Sequence, residues 1–221
     1  MERHPGLGPG EEVNLGPTTT PRVAATVIVA RDGDAGLELL LVQRTPSARF
    51  MGGMWVFPGG AVDPADYASD DPEGLHFALR AAAVREVAEE AGLRLDGADQ
   101  MALFSRWITP AHLTTRFDTW FFVAPAPWRA EPRVDGEECV AFQWLTAADA
   151  LNAHAAGQLP MVFPTVKHLE QLRPFGSVDE LLEHAYATEV EPVEPRIVTV
   201  REQPIVLLPG DPGYESAGRR G

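Results

Sequence analysis

Three glutamates stand close together in Arg85-Glu86-Val87-Ala88-Glu89-Glu90-Ala91-Gly92-Leu93. In a helix, positions 86, 89 and 90 are related as i, i+3 and i+4 and share one face. Val84, Val87, Ala88 and Ala91 are then expected on the opposite face, against a core, with Gly92 as the C-terminal cap. Crowding the carboxylates is unfavourable twice over. Like charges at i, i+4 repel by about 0.2–0.5 kcal/mol per pair, and anions in the last turns oppose the helix dipole. A divalent cation held by all three reverses the sign of both effects, and an oxygen-only ligand set suits Mg2+ or Mn2+. The alternative is a solvated acidic face that Arg85 partly relieves.

A second constellation lies upstream. Arg44 and Arg49 precede Gly53 and the run Phe57-Pro58-Gly59-Gly60. Guanidinium forks grip phosphate at two oxygens, and glycines let the backbone approach a ligand closely. Otherwise the two arginines are solvated charges at a strand end. Trp55 and Phe57 read as core residues rather than base-stacking platforms. Further on, Glu137 and Glu138 precede the apolar run ending in Trp144-Leu145 and are either solvent-facing or part of the site.

The order Gly59-Gly60, a loop, then Arg85 to Leu93 resembles the signature of the Nudix hydrolases, a family that cleaves nucleoside diphosphates linked to another group by means of metal ions held on this helix. The resemblance implies a mixed sheet sandwiched between helices, an α/β/α arrangement. It implies Mg2+ or Mn2+ on Glu86, Glu89 and Glu90, with the Gly60 carbonyl as a further ligand. Glu86 or Glu138 would take the proton, Glu138 being better placed than Glu137, and Arg85 would orient the glutamates. Two features depart from the family box. Phe77 stands where a Glu is usual, and the loop through residues 63–73 is longer. Asp63, Asp66 or Glu73 is available to fold back in place of the missing carboxylate.

Leu40, Leu41, Arg44, Arg49, Gly53 and Phe57 to Gly60 also fall in register with the signature of coenzyme A diphosphatases within that family. Val42 and Thr45 are mild departures. The segment 79–86 and the long loop before it look most like the peroxisomal coenzyme A diphosphatases and their bacterial relatives. The expected substrate is therefore coenzyme A or an acyl ester, with Arg44, Arg49, Gly53 and Gly59 binding it. ADP-ribose or NADH hydrolysis, or a Nudix-fold module that senses nucleotides without cleaving them, are the rival readings. Messenger-RNA decapping fits an acidic chain poorly.

Composition limits the partners. The formal net charge is −14, which argues against general nucleic-acid binding and leaves a phosphorylated substrate dependent on metal ions and local arginines. The 221 residues suffice for one good core, and 45% hydrophobic with 23% charged residues is ordinary for a soluble protein. No apolar run approaches the ~20 residues of a membrane helix. No secretory leader is expected in residues 1–20, and a single cysteine, Cys139, fits a reducing, cytoplasmic setting. Cys139 itself reads as a small buried strand residue. The expected partner is a small nucleotide-like molecule, with no membrane or nucleic acid, and a homodimer is allowed.

The remaining elements must position these groups. Residues 1–20 are rich in Gly, Pro and Thr and read as a disordered arm. Val23 to Ala30 and Leu37 to Gln43 read as strands of a hairpin. A helix is expected from about residues 73–75 to Ala91, favoured by its alanines, with His76 on its surface or in packing. Met101 to Ile108 and Asp118 to Ala124 read as strands joined by a polar loop holding His112, Thr114, Thr115 and Arg116, which either faces substrate or merely connects. Thr146 caps a helix to Ala155, Pro164 opens one to Leu172, and Ser177 starts a third with a capping box. Two short strands, Arg196 to Val200 and Ile205 to Leu208, precede a disordered tail. A single domain over residues 21–210 is expected, with residues 160–190 as a helical extension.

Overall fold

The computed structural model describes residues 8–68, 74–200 and 203–217. Strand β1 (Arg22–Gly33) organises the fold. Its run of small and β-branched residues is buried on both faces, as suits a central strand. It turns through Gly33 and Gly36 into the antiparallel β2 (Gly36–Arg44), and φ of +112° at Gly36 supplies the left-handed residue that a tight hairpin needs. The short β3 (Trp55–Val56) pairs with β2, and β4 (Gly59–Ala61) pairs with β1 at Ala24 to Thr26.

Helix α1 (Leu75–Ala91) ends at Gly92, whose φ of +65° and N–H bond to the Ala88 carbonyl form the expected cap. Strands β5 (Ala102–Ile108) and β6 (Phe117–Pro125) follow, β6 running parallel to β1 across nine register pairs from Arg22–Phe117 to Ala30–Pro125. Strand β7 (Cys139–Thr146) pairs with β2. Helices α2 (Ala147–Ala155), α3 (Phe163–Leu172) and α4 (Val178–Ala187) come next. The short β8 (Pro192–Val193) extends the sheet beside β5, and β9 (Arg196–Val200) with β10 (Gln203–Leu207) forms a separate hairpin.

The main sheet runs β3-β2-β1-β6-β5-β8, with β4 and β7 attached to β1 and β2. Alternation along β1 divides two cores. Ala25, Val27 and Val29 join Leu79, Ala82, Ala83 and Val87 of α1; Ile28 and Ala30 join Phe121, Leu169, Leu172 and Leu181 beneath α3 and α4. This is the helix–sheet–helix sandwich that the sequence implied.

The expected side-chain caps at Thr146 and Ser177 form. Thr146 Oγ1 accepts the Asp149 N–H, and Ser177 Oγ accepts that of Glu180. The Glu180 carboxylate reaches the Gly176 N–H instead of that of Ser177, so the box closes one residue early. The N-terminal stretch differs from an arm free of the body. Within residues 8–20, Val13 bridges Leu113, the Asn14 N–H bonds the His112 carbonyl and the Met51 N–H bonds that of Pro9. Residues 211–217 turn back so that Tyr214 is buried. Residues 1–7 and 218–221 lie outside the described residues. Among those described, no helix is long and apolar enough to cross a membrane.

Candidate active site

The glutamates of α1 do not all face one way. Glu86 and Glu90 are buried on the same stripe as Leu79, Ala82, Ala83 and Val87, whereas Ala88 is exposed. The inner face is therefore the one that carries two of the three acids, contrary to the expected separation of acidic and apolar faces. At about 100° per residue, Val87 lies about 60° from Glu90 and so shares its side of the helix instead of opposing it. Glu89 points out, with 59% of its side chain exposed.

Glu90 is 1% exposed and held at both oxygens. Its Oε2 accepts the Gly59 N–H at 2.9 Å, and Arg44 Nη1 stands 3.2 Å from Oε1. Burial pushes its carboxyl up to about 7, against the pull of the Gly59 N–H and Arg44, with Glu86 and Glu138 adding to the rise. Burial likewise raises Glu86 above the usual carboxylate range, opposed by Arg85. Gly60 lies against Glu86, and a Cβ there would stand 2.3 Å from Glu86 Oε1. A side chain at Gly60 would have to push the Glu86 carboxylate aside.

Arg85 joins the surrounding acids. Its Nη1 donates to Glu86 at 2.7 Å and to Glu89 at 3.1 Å, its Nε and Nη2 grip Asp66 at 3.1 and 2.9 Å, and Nη2 also reaches the Ala61 carbonyl. The Asp66 hydrogen bond, followed by Glu86, holds the guanidinium protonated beyond its ordinary range, against the effect of burial. Asp66 thus folds back onto Arg85, while Phe77 is 57% exposed. Burial would raise the Asp66 carboxyl, but Arg85 and the Asp63 N–H outweigh it and hold it low. Asp63 stands 3.8 Å from Arg85. Glu73, the third candidate, lies outside the described residues.

Glu86 and Glu90 line a cavity of about 600 Å3, together with Arg44, Gly59, Gly60 and Glu138. Glu138 is set by a turn in which Asp135 accepts the N–H groups of Glu137, Glu138 and Cys139; Glu137 does not reach the cavity wall. Arg44 Nε is buried with no hydrogen-bond partner among the described residues. Arg49 is exposed and Gly53 serves the turn between β2 and β3 with φ of +77°; neither lines the cavity. Of the two arginines expected to bind substrate, Arg44 is the one that lines the cavity. Arg116 also has a structural role. It is buried, bonded to the Thr109 and Thr19 carbonyls and paired with Glu194 at 2.9 Å.

Sequence reasoning missed Arg22, which lines the cavity over the Phe117 ring and makes no ion pair with a described residue. Its place at the exposed start of an apolar strand gave little signal. Trp55 and Phe57 are buried as expected, although Phe57 also borders the cavity. Burial raises the Cys139 thiol to about 12, so it is no nucleophile.

Among the described residues no three acidic, histidine or cysteine side chains already converge as a metal cage. The cause is visible in the hydrogen bonds: Arg85 takes Glu86 and Glu89, while Gly59 and Arg44 take Glu90. The donor chemistry nonetheless fits a hard divalent cation. Glu86, Glu90 and Glu138 bring three carboxylates to a wall that Arg44 also lines, and burial already disfavours the charge of Glu86 and Glu90.

Residues 20–163 match the NUDIX domain, and the chain belongs to that family. It is a Nudix pyrophosphohydrolase, an enzyme acting on phosphoric anhydrides. Putative nudix hydrolase 7 of Caenorhabditis elegans is 28% identical, over 89% of this chain and 76% of that protein. The human acyl-coenzyme A diphosphatase NUDT19 is 26% identical, over 81% of this chain and 72% of its own length. The crystal structure of a NUDIX hydrolase from Alicyclobacillus acidocaldarius is 29% identical and superposes with a TM-score of 0.65, covering 75% of this chain and 96% of that one.

Proposed function

We propose that the chain hydrolyses the phosphoanhydride of coenzyme A or an acyl-coenzyme A, giving 3′,5′-ADP and 4′-phosphopantetheine or its acyl form. The observation that carries this reading is Arg44. It belongs to the coenzyme A diphosphatase-like register and sits in the cavity wall bonded to Glu90. Its guanidinium at the cavity wall suits a phosphate oxygen. The resemblance of the chain to NUDT19 supports the same substrate class.

Glu86 and Glu90, with the Gly60 carbonyl, would hold Mg2+ or Mn2+, and Glu89, which points outward, would join them by turning from Arg85. The metal would neutralise the diphosphate and make bound water more acidic. The chain supplies the rest. Glu86 or Glu138 accepts the proton of the attacking water, a P–O bond forms, and the anhydride P–O bond breaks with its electron pair on the departing phosphate. Arg44 balances charge on the diphosphate, and Arg85, fixed by Asp66, orients Glu86.

Coenzyme A, ADP-ribose and NADH assayed side by side with Mg2+ test the proposal. Coenzyme A is expected to give the highest kcat/KM. Hydrolysis of ADP-ribose or NADH with coenzyme A untouched would refute the substrate and leave the chemistry.

A further inference from the structure

We infer that the apolar half of the cavity is a subsite for the aliphatic portion of the substrate beyond the anhydride, and that the hairpin β9–β10 closes it. The inference rests on the coenzyme A reading and deepens it. The floor is the face of β1 and β6 that carries small residues: Ala24 lies opposite Thr119, and Thr26 opposite Phe121. Small side chains on a buried sheet leave room that larger ones would fill. Trp107 and Phe163 form a wall, and the roof is a cross-strand pair, Ile197 on β9 and Val206 on β10.

Two features identify the occupant. The surfaces are apolar, yet Thr26, Thr119 and Thr165 also line them. An apolar wall with a few separated hydroxyls suits a flexible hydrocarbon chain interrupted by amides better than it suits a second sugar or phosphate. The whole cavity, apolar and acidic ends together, measures about 600 Å3, room for a small ligand that spans both. The roof also lies beyond residues 20–163, the part that matches the NUDIX domain. It is an addition, and it is anchored: Glu194 pairs with Arg116, its carbonyl accepts the Tyr214 hydroxyl, and Val193 lies in register with Trp107. The aliphatic portion has two sources, the pantetheine arm next to the anhydride and the acyl chain at its far end.

The test is to titrate the whole protein, with Mg2+, with 4′-phosphopantetheine, with its acetyl to dodecanoyl thioesters and with 3′,5′-ADP. The wild type is compared with Ile197→Trp, Val206→Trp and Ile197→Ala. Both tryptophans are expected to weaken 4′-phosphopantetheine at least ten-fold relative to 3′,5′-ADP, which marks the arm as occupant. A loss confined to the longer thioesters marks the acyl chain and supports the same subsite. Ile197→Ala, which enlarges the roof, is expected to spare both ligands, and retained 3′,5′-ADP affinity shows that the variants are folded. Equal effects on both halves, or none, would overturn the subsite. Coenzyme A turnover by the wild type is read separately: turnover with unaltered affinity ratios refutes the subsite alone, whereas no turnover of coenzyme A refutes the substrate reading.

Discussion

Glu90 shows how much of this site is decided by single side chains. It is buried, it bonds a backbone N–H and a guanidinium, and its carboxyl is pushed up to about 7 by burial. The isosteric Glu90→Gln keeps the carbonyl oxygen that accepts the Gly59 N–H and removes the charge. Hydrolysis of coenzyme A is expected to fall roughly 100-fold or more, with an unchanged circular dichroism spectrum; full activity would remove Glu90 from the site. Cys139 makes the opposite case. With its thiol pushed up to about 12 and no exposure, it is expected to resist a thiol reagent at pH 8 in the folded protein and to react on unfolding.

At the scale of elements, α1 works because a loop acts on it. The turn at Pro64–Asp66 presents Asp66 to Arg85, and Arg85 then spans Glu86 and Glu89. Asp66→Asn keeps the shape and weakens that ion pair. Loss of such an orienting partner typically costs 10–100-fold where metal ligation is involved. The expected result is a kcat lowered about 10-fold with KM for coenzyme A little changed, since Asp66 does not line the cavity. A KM effect alone would place Asp66 elsewhere in the mechanism.

For the whole molecule, His168 joins α3 to the sheet. It is fully buried among Phe57, Phe104, Trp107 and Phe121. Its Nδ1–H donates to the Pro164 carbonyl at 2.7 Å, which leaves Nε2 to accept from Ser105 Oγ at 2.5 Å. Burial lowers it from 6.5 to about 4, against the Pro164 bond. A depressed folded value means that the unfolded chain binds the proton more readily. The stability from neutral His168 is thus complete above pH 6.5 and is lost as pH falls toward 4, by up to about 3 kcal/mol. Denaturant titrations across this range should show that slope in the wild type and a shallower one in His168→Gln. Equal slopes would assign the acid sensitivity to other groups.

The sequence by itself determined what local periodicity and local chemistry determine. The β1–β2 hairpin, the extent of α1 and its Gly92 cap, and the Thr146 and Ser177 caps all depend on residues a few positions apart. So did the family resemblance, carried by Gly59-Gly60 and residues 85–93. Only the tertiary structure decided which carboxylates turn inward, because Glu86 and Glu90 are buried by partners on β4 and β2 that helical spacing does not reveal. It separated Arg44 from Arg49, five residues on, because the turn after β2 takes Arg49 to the surface. It chose Asp66 from a loop with no periodic signal and brought Arg22 and the β9–β10 hairpin to one cavity. Contacts between residues distant in the chain are set by packing of the sheet, and no pattern within one segment encodes them.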